Sequence, residues 1–266
     1  MSGLLIHLRA APTLLRIGFA EMVAYRAEVA VWILTATLPL VMLALWSAAA
    51  DGGTLGSFSQ DDFVRYFAVI LVVRQVTSAW LVWELNYNVR TGALSPMLLR
   101  PLNPLWWNLA ETVGALPLRI IVLSPILAVL IWWKPQIALL PSAATFFLGC
   151  VSVFLAFVLA WLVQAVFGML AFWYEQSVGL YNLWFVAVAL LGGYVIPMDL
   201  LPSSIVPLAR VLPFHSALGA PVEVWLDATP DPCRTLALQA VWVAVTATAA
   251  WFMWGRGLRR YGAVGA

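Results

Sequence analysis

The chain has 266 residues, of which 64% are hydrophobic and only 10% are charged. Soluble domains carry about 25% charged residues because charge keeps a folded surface hydrated, so this composition excludes an ordinary soluble protein. A net charge of +2 without a dense basic run excludes a nucleic-acid binder. Since each helical crossing of a bilayer needs about 20 apolar residues, several crossings leave little room for a separate soluble domain. We predict one all-α, polytopic membrane domain over residues 1–266.

The first predicted element is an amphipathic helix over residues 1–26. Apolar residues recur at helical spacing between Leu4 and Tyr25, while Arg9 and Arg16 fall on another face. This pattern is typical of a helix that lies along the membrane surface. No short apolar stretch with a cleavage site precedes the first long span, so we expect this helix in the mature protein.

Six long apolar stretches then predict six transmembrane helices. The polar turn at residues 51–53 ends the first stretch, and Pro125 predicts a kink in the third. The predicted spans are Glu28–Ala50, Phe63–Leu85, Leu116–Trp133, Ala143–Phe167, Val178–Val195 and Leu236–Trp254.

Two segments rich in proline separate these spans. Residues 86–108 contain prolines that cannot continue one lipid-facing helix, so we predict a loop there. Residues 197–232 are apolar but repeatedly broken, and we predict short re-entrant helices between the fifth and sixth spans. Glycines before this segment would allow the fifth helix to break. The residues that define the predicted re-entrant segment are Gly192, Gly193, Pro197, Pro202 and Pro213.

The basic residues predict the orientation. With the N-terminus inside and six crossings, nine basic residues, Arg119 among them, lie on or near the cytoplasmic side and four lie outside. This asymmetry satisfies the positive-inside rule. We therefore expect a bacterial inner-membrane protein with both termini and residues 86–108 in the cytoplasm, and residues 197–232 outside.

The side chains that catalysis needs are scarce. A phosphate-binding loop requires a lysine, and the only lysine is Lys134, between a tryptophan and a proline. His7 and His215 lie at opposite ends of the chain, while Cys150 and Cys233 form neither a metal cluster nor a disulfide framework. We expect no enzymatic activity, no metal and no cofactor in this chain.

Polar residues within the predicted spans are the candidates for a transport path. A charge at the centre of a span costs about 2.5 to 3.5 kcal/mol on insertion scales, so Arg74 needs a partner or a watery cavity. The alternative is that such residues only hold helices together by hydrogen bonds or a salt bridge. The candidates are Arg74, Gln75, Thr77 and Asn182.

Two stretches resemble a known family. The run from Gly192 to Pro202, followed by residues 210–214 (RVLPF), resembles the last-loop signature of type-2 ABC export permeases. The run from Arg90 to Pro101 is similar to the first cytoplasmic loop of the branch called viologen-exporter-type permeases. With the six-span layout, the resemblance covers essentially the whole chain.

The resemblance implies a permease that works with other subunits. These are a second permease, homologous rather than identical, and two cytoplasmic ATPases that bind ATP and Mg²⁺. A coupling helix within residues 86–108 would dock on an ATPase. Alternatively, Arg100 only anchors this loop to anionic lipid. The residues carried over to the coupling role are Arg90, Leu94, Leu98, Leu99, Arg100 and Pro101.

Two other functions stay open from the sequence. An ATP-independent transporter or channel would usually show several charges at mid-membrane or repeated halves, and only Arg74 is found. A lipid-modifying enzyme would need a complete catalytic cluster, which Glu84 and Glu175 lack. We therefore expect the permease half of an ATP-driven exporter.

Overall fold

The computed structural model describes residues 10–20, 37–135 and 141–264. Apart from an isolated bridge between Leu55 and Phe58, their regular structure is helical, which confirms the all-α prediction. Two single-turn 3₁₀ helices, Leu170–Phe172 and Met198–Leu200, accompany the α-helices. In chain order the α-helices are α1 (10–20), α2 (Thr37–Ala49), α3 (Gln60–Thr77), α4 (Leu81–Thr91), α5 (Leu94–Leu98), α6 (Pro104–Gly114), α7 (Leu116–Trp133), α8 (Ala143–Met169), α9 (Ser177–Leu191), α10 (Val206–Val211), α11 (Pro213–Ala217), α12 (Gly219–Trp225) and α13 (Pro232–Val264).

Four helical stretches in the described ranges are long and apolar enough to cross a membrane. They are Gln60–Thr91, Pro104–Trp133, Ala143–Phe172 and Pro232–Tyr261. Two shorter apolar helices, Leu38–Ala49 and Ser177–Leu191, overlap the first and fifth predicted spans. Residues 28–36 of the first predicted span lie outside the described residues, as do residues 1–9 and 21–26 of the predicted N-terminal helix.

Helix α3 forms the centre of the largest apolar core. Phe63, Phe67 and Ile70 are fully buried, and the helix packs against α2, α7, α8 and α12. Its start is fixed by a capping box: the Ser59 hydroxyl accepts from the Asp62 amide at 3.3 Å, and the Asp62 carboxylate accepts from the Ser59 amide at 3.0 Å.

The second predicted span, Phe63–Leu85, lies within the membrane-length stretch Gln60–Thr91, but its helix is interrupted, which the sequence did not predict. The helix breaks at residues 78–80, where Ser78 has extended backbone angles, and α4 then continues to Thr91. The predicted loop 86–108 is therefore helical at its start, and it also contains α5 and the beginning of α6. Neither proline nor glycine lies at residues 78–80 to mark the break in the sequence.

Three other boundaries differ from the sequence prediction. Helix α9 ends at Leu191, four residues before the predicted end, because Gly192 and Gly193 turn the chain there. Helix α13 spans 33 residues and exceeds the predicted last span at both ends. Pro125 lies inside α7. The depth of α10–α12 in the membrane stays a prediction.

Helix α8 is the second central element, in contact with α3, α4, α9, α12 and α13. Glycines allow two of these close approaches. A Cβ on Gly149 would lie 2.5 Å from the Trp225 ring, and one on Gly168 would lie 3.1 Å from Leu85. On α13, Gln239 is fully buried and hydrogen bonds to Ser152 of α8 at 2.8 Å, which joins the two helices by a polar contact.

Candidate functional site

The break between α3 and α4 is held by polar side chains from two other helices. Arg119 of α7 is 4% exposed and donates to the carbonyl oxygens of Gln75, at 3.3 Å, and Ser78. On the other side of the break, the Val82 amide donates to the Gln164 side chain of α8 at 3.5 Å. Because backbone groups at membrane depth must be paired within the protein, these contacts stabilise a broken helix there.

Arg119 has a structural contact that its charge alone did not predict. The structure buries its side chain beside α3, within electrostatic range of Arg74, and its predicted position on or near the cytoplasmic side stays a prediction. From the sequence, Arg74 alone was predicted as a charge within the spans. Arg119 is a second arginine inside the bundle. The signal in the sequence for a buried arginine was the position of Arg119 inside the third predicted span, Leu116–Trp133.

Arg74 lies near the middle of the broken helix, on the side that faces α9. Its guanidinium carbon is 5.1 Å from the centroid of the Phe185 ring, and its charge lies beside the Tyr194 side chain. It also borders a small cavity of about 40 Å³ together with Thr77 and Tyr181. A cation over an aromatic face is attracted by about 2 kcal/mol when desolvated, which offsets much but not all of its insertion cost.

The turn after α9 is bound to α2 and α3 by side-chain donors. The Tyr66 hydroxyl donates to the Gly193 carbonyl at 2.8 Å, and the Trp46 indole donates to the Val195 carbonyl at 2.8 Å. Gly193 has a φ of +84°, and a Cβ on it would lie 2.4 Å from the Tyr66 hydroxyl. The glycine pair that the sequence singled out thus has a backbone role.

The other predicted path residues divide into two groups. Gln75 and Thr77 are buried next to the helix break, close to Arg74. Asn182 lies on the exposed side of α9, so the structure does not bring it to Arg74. In the segment that follows, Pro213 begins α11, whereas Pro197 and Pro202 flank the 3₁₀ turn at Met198–Leu200.

A charged cluster joins the short helices after α9. Glu223 of α12 lies 3.1 Å from His215 and 3.9 Å from Arg210, and Arg210 also pairs with Asp199 at 2.9 Å. The sequence did not predict this cluster, because its members are spread over 25 residues of broken helix. Within the described ranges, no group of three or more His, Cys, Asp or Glu side chains could hold a metal ion.

Residues 92–103, here called the exposed segment, follow α4 and are mostly exposed or half-buried. Gly92 ends α4 with a φ of +79°, and Asn103 caps α6 by accepting from the Leu105 amide at 2.9 Å. Between them Leu94 is fully buried, whereas Leu99 is 88% exposed. The segment therefore has one residue in the core and an apolar residue presented outward.

Contacts with neighbouring helices hold the exposed segment in place. The Ser95 hydroxyl lies 2.9 Å from the Tyr261 hydroxyl of α13, and the Arg100 guanidinium carbon lies 5.7 Å from the Trp107 ring centroid. Arg90, on the last turn of α4, is exposed. Tyr261 was not predicted as a site residue, since nothing in the sequence shows that α13 reaches this far.

Buried polar side chains near Arg74, here called the polar core, lie among long apolar helices; they are Gln75, Thr77, Arg119 and Gln164. This arrangement, with one short helical segment exposed, defines a polytopic membrane protein. Residues 30–265 match the family described as ABC-2 family transporter protein. The chain belongs to this family, which confirms the resemblance at the family level and gives it the role of an ABC permease. The viologen-exporter-type branch stays a prediction. The comparison with curated proteins finds no match.

Proposed function

We propose that the chain is one membrane half of an ATP-driven exporter in a bacterial inner membrane. It would form the translocation path with a second, homologous permease. Two separate ATPase subunits, which bind ATP and Mg²⁺, would drive it. The observation that carries the proposal is the family match over residues 30–265, since ABC-2 permeases generally associate with ABC ATPases.

In this proposal the remaining spans come from the two shorter apolar helices. Residues 38–49 and 177–191 would each cross the bilayer, the former together with residues that precede it in the sequence. Six spans would then place both termini in the cytoplasm, and α10–α12 would dip into the membrane from the outer side. Positive residues near α4 and at the end of α13 support this orientation.

The exposed segment is the proposed contact with the ATPase. Leu99 is an exposed leucine whose burial against a partner would be favourable, and Leu94 fixes the segment to the core. Helix α4 runs directly from this segment to the break at residues 78–80. A displacement of the segment by closing ATPases would therefore move a rigid helix against the polar core around Arg74.

The test is co-purification from membranes in mild detergent. We expect the wild-type chain to bring down a nucleotide-binding subunit and a second permease. Leu99→Ser should reduce recovery of the ATPase and its activity at least fivefold. Leu208→Ser, which alters a leucine 64% exposed on α10, should leave both unchanged. Recovery of the chain as a lone, active protein would contradict the proposal, as would normal ATPase recovery with Leu99→Ser.

A further inference from the structure

The cavity beside Arg74 carries an inference about the transported molecule, which rests on the proposed transport function. The cavity lies between α3, α8, α9 and the short helices, and its volume is about 40 Å³. A site of about 10 to 15 Å³ already holds one water, so this cavity has room for a few oxygen atoms. Its polar lining residues are Arg74, Thr77, Gln164 and Tyr181.

The polar groups at this cavity include strong hydrogen-bond donors and no carboxylate. None of the four ion pairs within the described ranges includes Arg74. A guanidinium presents several N–H donors and no acceptor, and hydroxyl groups can donate to an anion as well. The electrostatics of the lining are therefore matched to a negatively charged group.

The aromatic neighbours of Arg74 orient its charge without neutralising it. Phe185 offers a ring face at 5.1 Å, and Tyr194 offers a hydroxyl. Both are uncharged groups that attract a cation through a quadrupole or a dipole. The positive charge thus stays available for an anionic partner, at a depth where an unpaired charge is expensive.

The rest of the cavity wall is apolar. Trp184, Val188 and Leu218 line it beside the donors. We propose that this cavity receives the anionic head group, a phosphate or carboxylate, of the transported molecule, and that the substrate class is an anionic amphiphile. The head group binds Arg74 and the hydroxyls of Thr77 and Tyr181, while the apolar part of the molecule lies against the apolar side chains of the wall.

A head-group series on the full chain tests this assignment. The chain, with the subunits that co-purify, is placed in nanodiscs of zwitterionic phosphatidylcholine, and its Tm is followed by tryptophan fluorescence. The probes share one 12-carbon tail: dodecyl phosphate, dodecyltrimethylammonium and dodecyl maltoside. Inorganic phosphate is the tail-free arm. We expect dodecyl phosphate to raise the Tm with concentration, as a ligand of the folded state does, and the cationic and neutral probes to have no such effect.

Variants on α3 make the test specific to the site. Arg74→Gln should weaken the apparent affinity for dodecyl phosphate at least tenfold, and Arg74→Lys should keep most of it. Arg65→Gln is the matched control, because it removes an arginine nine residues away on the same helix, about 14 Å along its axis. It should bind dodecyl phosphate like the wild type.

Each other outcome overturns the inference. If dodecyltrimethylammonium raised the Tm of the wild-type chain as much as dodecyl phosphate does, the charge of Arg74 would already be neutralised within the protein. This comparison uses the wild-type chain alone and so does not depend on the folding of any variant. Unchanged affinity in Arg74→Gln would place the phosphate elsewhere. Stabilisation by inorganic phosphate alone would assign the site to a free anion rather than an amphiphile. Because ATPase recovery is measured separately, loss of head-group selectivity with the ATPase still bound refutes only this inference, whereas absence of the ATPase refutes the proposed function.

Discussion

Gly193 shows how one residue fixes the shape of the chain inside the bundle. Its positive φ lies in the left-handed region that residues with a Cβ rarely adopt, and its carbonyl accepts from Tyr66. The same turn presents Tyr194 to Arg74. A single glycine therefore positions both the end of α9 and a group that holds the intramembrane arginine.

Replacement of Gly193 by alanine should destabilise the protein. The new Cβ would lie 2.4 Å from the Tyr66 hydroxyl, and the alanine would have a strained positive φ. We therefore expect the free energy of unfolding to fall by about 1–3 kcal/mol. The measurement is the midpoint of thermal unfolding in detergent.

Gly179→Ala provides the matched control for this prediction. Gly179 lies in α9, and a Cβ on it would have no atom within 4 Å. Since alanine is the better helix former, its unfolding midpoint should be unchanged or higher. An unfolding midpoint for Gly193→Ala equal to that of Gly179→Ala would contradict the structural role assigned to the turn.

Among the elements, the exposed segment depends on α13 for its position. Tyr261 contacts Ser95 at 2.9 Å through its hydroxyl and packs against Phe172 with ring centroids 6.0 Å apart. A Cβ on Gly257 would overlap the Phe172 ring, so α13 passes this point in close contact. The end of the last helix is thus part of the support for the proposed ATPase contact.

Removal of the Tyr261 hydroxyl should loosen the exposed segment. A solvent-exposed hydrogen bond of this kind contributes about 1 kcal/mol, so in Tyr261→Phe the amides of residues 93–99, apart from Pro96, should exchange hydrogen about fivefold faster. Hydrogen exchange with mass spectrometry measures this. Tyr87→Phe is the control, because Tyr87 is 64% exposed on α4. Equal exchange in both variants would show that the contact does not hold the segment.

Local sequence signals account for the ends of several helices, but they do not account for the break between α3 and α4. Asn103 before Pro104 and the glycine pair after Leu191 mark helix ends that the structure has. The break after Thr77 depends instead on Arg119 and Gln164, which lie 41 and 82 residues from their partners Ser78 and Val82. Hydropathy does not report such long-range contacts. The same reason hid the Glu223 cluster, while Arg74 was found because a charge in an apolar run is visible locally.

The whole molecule is organised around α3 and α8, with the polar core between them. The family match covers residues 30–265, and the single membrane domain stays a prediction. Within the described ranges, four helical stretches have the length of a bilayer crossing, and the proposed orientation follows from the distribution of arginine. The two cysteines allow a direct test of this arrangement.

Labelling of Cys150 and Cys233 should reveal the depth of each residue. Cys150 lies in α8 within a long apolar span, whereas Cys233 lies at the start of α13 after a polar turn. In intact cells, a membrane-impermeant maleimide should label Cys233 and leave Cys150 unmodified. The Cys233→Ser and Cys150→Ser variants assign the signal. Labelling of Cys233 only after cell lysis would reverse the proposed orientation.

The dependence of the α3–α4 break on Arg119 has a consequence for biogenesis. During synthesis the stretch Gln60–Thr91 emerges before α7, so the Gln75 and Ser78 carbonyls lack their arginine donor at that stage. In hydrocarbon such unpaired groups are costly. The second span should therefore remain beside the insertion machinery until Pro104–Trp133 follows, and the two should pass into lipid as one hairpin.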